Sequence, residues 1–151
     1  MHPGFGKKTV LKVRCRFCQS IVCNRGMKAV LLADTKQELF STDAPVQMKV
    51  GSLGRTYSTN QCQCRICDIA CKQCGNVVGY HVEVPCITCL QSCHNGHMWI
   101  FNSDAIATEE IVDKSGRNVL KWDQIAASPC EEETESLDSS LDDLTDLECF
   151  R

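Results

Sequence analysis

Cys71-Lys72-Gln73-Cys74, followed directly by Gly75-Asn76-Val77-Val78-Gly79-Tyr80-His81-Val82-Glu83-Val84, joins a metal-ligand turn to an alternating strand. Two residues between cysteines let both thiolates face one ion while nearby backbone N–H groups stabilise them, which suits tetrahedral thiolate coordination. Beyond the turn, Val78, Tyr80, Val82 and Val84 alternate with Gly79, His81 and Glu83, giving a half-buried strand with one apolar face. This stretch predicts a mainly β protein in which bound metal supplements a small core.

Working outward, the 151 residues contain 13 cysteines, and most fall at ligand spacing: Cys15-Arg16-Phe17-Cys18, Cys62-Gln63-Cys64, and Cys86-Ile87-Thr88-Cys89 followed by Cys93. They predict two structural zinc ions. Sharing one ion among Cys15, Cys18, Cys71 and Cys74 would tie together hairpins far apart in the chain and stabilise a small β domain. The second site draws on Cys62, Cys64, Cys86, Cys89 and Cys93, five thiols for four positions, with His94 and His97 as further candidates. The preferred set is Cys64, Cys86, Cys89 and Cys93, with Cys62 as the alternate. A disulfide framework is the rival reading. It is disfavoured because Met1–Val13 has no signal-peptide apolar region, so the expected compartment is the cytoplasm and nucleus, where thiols stay reduced. No run of about 18 apolar residues is present to span a bilayer.

Charge divides the chain. Residues 131–148 carry 9 of the 19 acidic residues and no basic one, the profile of a disordered acidic tail. The expected organisation is a flexible N-terminus over 1–13, a zinc-binding domain over 14–127 and the tail over 128–151. Residues 1–130 hold 15 basic against 10 acidic residues, a formal +5. Two four-thiolate zinc sites would contribute about −4 to that balance. The Lys and Arg residues are also scattered, so direct nucleic-acid binding is not expected. In the tail, Leu137, Leu141, Leu144 and Leu147 would share one face of a helix, were one to form.

Lys28–Asp34, Thr56–Thr59 and His97–Asn102 also read as strands, and Asp104–Asp113 as a helix. His81-Val-Glu83 and Pro85-Cys86-Ile-Thr-Cys89 carry the letters of a zinc-deaminase motif. Glu83 and Pro85 are nearly adjacent, which leaves no separate elements to build an open site, so four thiolates and no catalysis are expected. Trp99 reads as core. Trp122, flanked by Lys121 and Asp123 just before the tail, has two readings, a partner-binding anchor or the closing strand of the domain.

Residues 25–35, 39–43, 68–81 and 84–97 resemble the "family with sequence similarity 72" proteins. The resemblance implies a non-enzymatic adaptor that binds nuclear uracil-DNA glycosylase through its N-terminal segment. It also implies removal of that enzyme through a ubiquitin ligase complex, which lowers uracil base-excision repair. Trp122 matches a tryptophan of that family, while Cys23, Cys67 and Cys130 fall outside its pattern and read as free thiols. Gly54-Arg55-Thr56-Tyr57, residues 68–71 and Gly79-Tyr80 are more distantly similar to the Yippee, Mis18 and cereblon group. That likeness implies a β-tent: two antiparallel sheets clamped by two Cys-x-x-Cys turns, to which Cys15, Cys18, Cys71 and Cys74 correspond. The alternative function is a zinc-stabilised nucleic-acid or chromatin-associated binding module.

Overall fold

The computed structural model describes residues 3–31, 34–59, 62–91 and 95–125. The acidic segment, Cys93, His94 and Cys130 lie outside them. The strands are β1 (Leu11–Cys15), β2 (Ile21–Leu31), β3 (Asp34–Thr42), β4 (Val50–Ser58), β5 (Arg65–Cys71), β6 (Val77–Val84), β7 (Trp99–Asn102) and β8 (Ile106–Glu110). Short helical turns occupy Pro3–Gly6 (α1), Ile87–Gln91 (α2) and Trp122–Gln124. The mainly β expectation holds, and every ladder is antiparallel.

The strands run β4-β5-β6-β7-β3-β2-β1-β8, a single eight-stranded order where two sheets had been expected. The reason is the length of β2. Its first half pairs with β1, from Leu11↔Gly26 to Arg14↔Ile21, and its second half pairs with β3, from Met27↔Ser41 to Leu31↔Asp34. One strand therefore carries the ladder from one wall of the tent to the other. Gly26 stands where the partners change, and a Cβ there would lie 2.8 Å from Val13 Cγ2. Gly79 answers a second close approach, since a Cβ on it would collide with the Ile100 carbonyl of the neighbouring strand.

Between the walls lies the main core, which includes Val13, Val22, Val50, Ile69, Val78, Phe101 and Ile106 together with Cys15 and Cys71. A second, smaller cluster packs Val10, Met27 and Trp122 with Phe5, Ile111, Leu120 and Ile125. Two boundaries differ from the sequence reading. The described residues before 14, which fall in a segment expected to be flexible, are built into the domain: Val10 is 1% exposed and Val13 0%, because β1 needs its own apolar face on the core. Asp104–Asp113 contains β8 and no helix, since Ile106, Thr108 and their neighbours extend along β1 in the register Cys15↔Ile106 to Leu11↔Glu110.

Candidate metal centres

Two hairpins with the same local design build the first centre. In β1–β2, the Cys15 N–H donates to Ser20 O at 2.8 Å and Gln19 N–H donates to Cys15 O at 2.8 Å. In β5–β6, the Cys71 N–H donates to Asn76 O at 2.9 Å and Gly75 N–H donates to Cys71 O at 2.7 Å. Each turn needs a residue at positive φ after its second cysteine. Gly75 meets this at φ 84°, and Gln19 does so at φ 68°, the one non-glycine with positive φ among the described residues. The next residue then reaches back to the sulfur: Asn76 Nδ2 donates to Cys74 Sγ at 3.3 Å, and Ser20 Oγ lies 3.3 Å from Cys18 Sγ.

β1 and β5 are five pairings apart in the strand order, yet their turns meet. Cys15 Sγ lies 3.6 Å from Cys74 Sγ and Cys18 Sγ lies 3.5 Å from Cys71 Sγ, with all four sulfurs within 4.8 Å of one another. Zinc–sulfur bonds of about 2.3 Å in a tetrahedron place sulfurs about 3.8 Å apart, so these four fit the ion.

The second centre gathers Cys62 and Cys64, from the turn between β4 and β5, with Cys86, just before α2, and Cys89, within it. Their sulfurs also lie within 4.8 Å of one another. Cys86 N–H donates to Cys64 Sγ at 3.3 Å, and Thr59 Oγ1 lies 3.1 Å from Cys62 Sγ. Cys62, the alternate in the sequence reading, completes this group among the described residues. His97 does not join it, because its ring is buried elsewhere, with Nδ1 2.9 Å from Ser41 Oγ and its centre 4.7 Å from the Trp122 ring.

Without metal, each centre combines sulfurs of opposite tendency. Ser20 holds the Cys18 thiol down at about 6, whereas burial pushes Cys15 up to about 12. In the second centre, the backbone N–H groups of Cys89 and Gln63 hold Cys86 down at about 6, and burial pushes Cys64 up to about 11. Loading zinc therefore displaces protons from the buried members, and affinity falls as pH falls.

A family model described as Yippee homolog 2 zinc finger protein matches residues 2–151. The chain belongs to that family. Among solved structures it is similar to the crystal structure of the Mis18 "Yippee-like" domain, with a TM-score of 0.52 and 18% identity. The match covers 69% of this chain and 99% of that one, and at this identity it concerns the fold. Together with the two four-cysteine groups, family membership makes this a Yippee-like domain with two structural zinc ions.

The other residues singled out from the sequence of this Yippee-family chain are accounted for as follows. His81 belongs to neither metal group and stacks on Trp99, with ring centroids 3.8 Å apart and planes 9° apart. Cys23 and Cys67 are buried free thiols. Trp122 is 6% exposed, with Nε1 donating to Gly26 O at 3.1 Å, the Arg25 guanidinium 5.0 Å from its ring centre and His97 4.7 Å away. The structure thus places it as the residue that closes the domain over Val10 and Met27. The sequence reading allowed it little remaining core because it left the N-terminal residues outside the domain; α1 and Val10 supply that core.

Proposed function

We propose that this protein is a non-enzymatic, zinc-stabilised adaptor of the nucleus and cytoplasm. In this reading it binds nuclear uracil-DNA glycosylase through that enzyme's N-terminal segment and promotes its ubiquitin-dependent degradation, lowering uracil base-excision repair. The observation that carries the non-enzymatic part is the closure of both centres. Four cysteine sulfurs fill the tetrahedron at each, leaving no position for a reactive water. Function then resides in surfaces that the two ions hold in place. The partner rests on the resemblance of residues 25–35, 68–81 and 84–97 to the adaptor family. Trp122 takes part by fixing the corner around it, where Phe5, Lys8 and Lys121 form the rim.

Calorimetric titration of the zinc-loaded protein with the N-terminal segment of uracil-DNA glycosylase tests this. Sub-micromolar binding, weakened by Trp122→Phe at unchanged zinc content, is the expected result. No binding by folded, zinc-replete protein would sink the partner. One observation favours the second reading, a nucleic-acid or chromatin-associated module: Lys49, Arg55, Arg65 and Lys72 have no ion-pair partner among the described residues. It predicts duplex binding whose affinity falls log-linearly with salt.

A further inference from the structure

We propose that the open edge of β4 is a docking strand for the chain's own acidic segment, Glu131–Glu148. β4 is a terminal strand of the ladder, so its outward N–H and C=O groups have no strand partner among the described residues, and Ser52 to Arg55 are exposed in sequence. Its stretch Val50–Leu53 pairs with β5 in regular register before the bulge that leads to Tyr57, which leaves a flat length of edge for another strand to join. Apolar side chains stand beside this edge in unusual exposure: Leu53 at 43%, Tyr57 at 46% and Met48 at 84%.

The unpaired charge here is basic. Lys49 and Lys72 lie side by side where Lys72 N–H donates to Lys49 O at 2.9 Å, Arg55 sits in the bulge, and Arg65 reaches Thr56 Oγ1 at 3.0 Å. None of the four has an ion-pair partner among the described residues, though Lys72 Nζ donates to Gln47 O at 3.3 Å, and Asp68, opposite Leu53 in the ladder, accepts from the Tyr57 hydroxyl at 2.6 Å. The complementary occupant is in the same chain: residues 131–148 combine nine carboxylates, no cation, and Leu137, Leu141, Leu144 and Leu147. Charge would draw this segment to β4, and as an added strand it would place Leu137, Leu141 and Leu147 on one face, beside Leu53 and Tyr57.

Reach allows the docking. The last described residue is Ile125, and the six steps to Glu131 span up to about 20 Å, with about 3.4 Å for each residue after that. A domain of this size is roughly 35 Å across, so the acidic segment can lie along any face. Tethering also sets a millimolar effective concentration, enough for a weak strand addition to be populated. The basic residues near Trp122 are poorer hosts. Lys8 Nζ donates to Lys28 O at 2.9 Å, Lys28 is paired with Glu38 at 2.9 Å, and the ladder's other terminal strand, β8, carries Glu109 and Glu110, which repel an acidic segment.

Hydrogen exchange on the zinc-loaded full-length chain tests the proposal. The comparison is a variant in which all nine acids of residues 131–148 are replaced by Gln or Asn. Amides of residues 51–55 are expected to exchange about tenfold slower in the native chain, the protection vanishing at high salt and in Arg55→Glu/Lys72→Glu. Equal exchange in the two chains would overturn it. So would protection that appears only at residues 7–9 and 119–122, or protection that grows with protein concentration, which would assign the contact to a second copy.

Discussion

The two zinc centres use the same four thiols in different mechanical settings. The first joins hairpins that do not pair with each other directly, since β7 and β3 separate β6 from β2 in the strand order. The second joins segments that the ladder already holds: Arg65, next to Cys64, pairs with Val84, two residues before Cys86. Removing the first ion therefore leaves the two walls of the tent joined only along the strand ladder that runs through β2. Removing the second opens a turn and a five-residue helix. Identical ligand chemistry thus performs a global task at one end of β5 and a local one at the other.

The sharpest way to break this comparison is to remove one ligand from each centre. Cys71→Ser takes away an ion whose binding is worth on the order of 10 kcal/mol, comparable to the whole stability of a domain at about 5–15 kcal/mol. Loss of the cooperative melt and of dispersed amide resonances is expected. Cys89→Ser should instead lose one zinc by elemental analysis, cost on the order of 2–4 kcal/mol and keep the strand circular dichroism. If Cys89→Ser unfolds the chain and Cys71→Ser does not, the assignment of tasks is reversed. Stepwise chelation sharpens the same point: the first zinc should leave with the strand signal intact, the second with its collapse.

A smaller effect separates the two hairpins of the first centre. Asn76 donates an amide hydrogen to Cys74, so Asn76→Ala should weaken zinc binding at that centre by about 10–100-fold in a chelator competition. Ser20→Ala should show a milder loss, because a rotatable hydroxyl gives up more freedom to make the same contact. Equal zinc affinity in Asn76→Ala and the native chain would show that the contact does not act on the metal. The smallest change concerns the turn residue. Gln19 occupies a left-handed conformation that its counterpart Gly75 adopts without strain. Gln19→Gly should stabilise the protein by about 0.5 kcal/mol, read by urea midpoint, because the Gln19 amide bond to Arg16 O offsets part of the strain.

Much of this was legible along the chain. The Cys-x-x-Cys turns and the alternation from Val78 to Val84 carry the zinc and the β class, because ligand spacing and a period of two are local properties. The partnership of Cys15 and Cys18 with Cys71 and Cys74 was legible too, once each pair was read as half of a tetrahedron. Other assignments failed where the deciding contact was distant. Ile106–Glu110 looked helical from its immediate neighbours, yet β1 supplied the ladder that made it a strand. Met1–Val13 looked like a free end, yet Val10 and Phe5 receive Trp122 from the far end of the domain.

The sequence by itself determined the metal, the ligand type and the strand character, since these follow from residue chemistry and short-range periodicity. Tertiary structure brought Cys62 to Cys64, Cys86 and Cys89 through the β4–β5 turn, a meeting of described thiols that spacing alone left open. It also decided that β2 carries both walls of the tent and that Trp122 faces inward. Each of these depends on which strands lie side by side, and that order is fixed by burial summed over the whole chain rather than by any single segment.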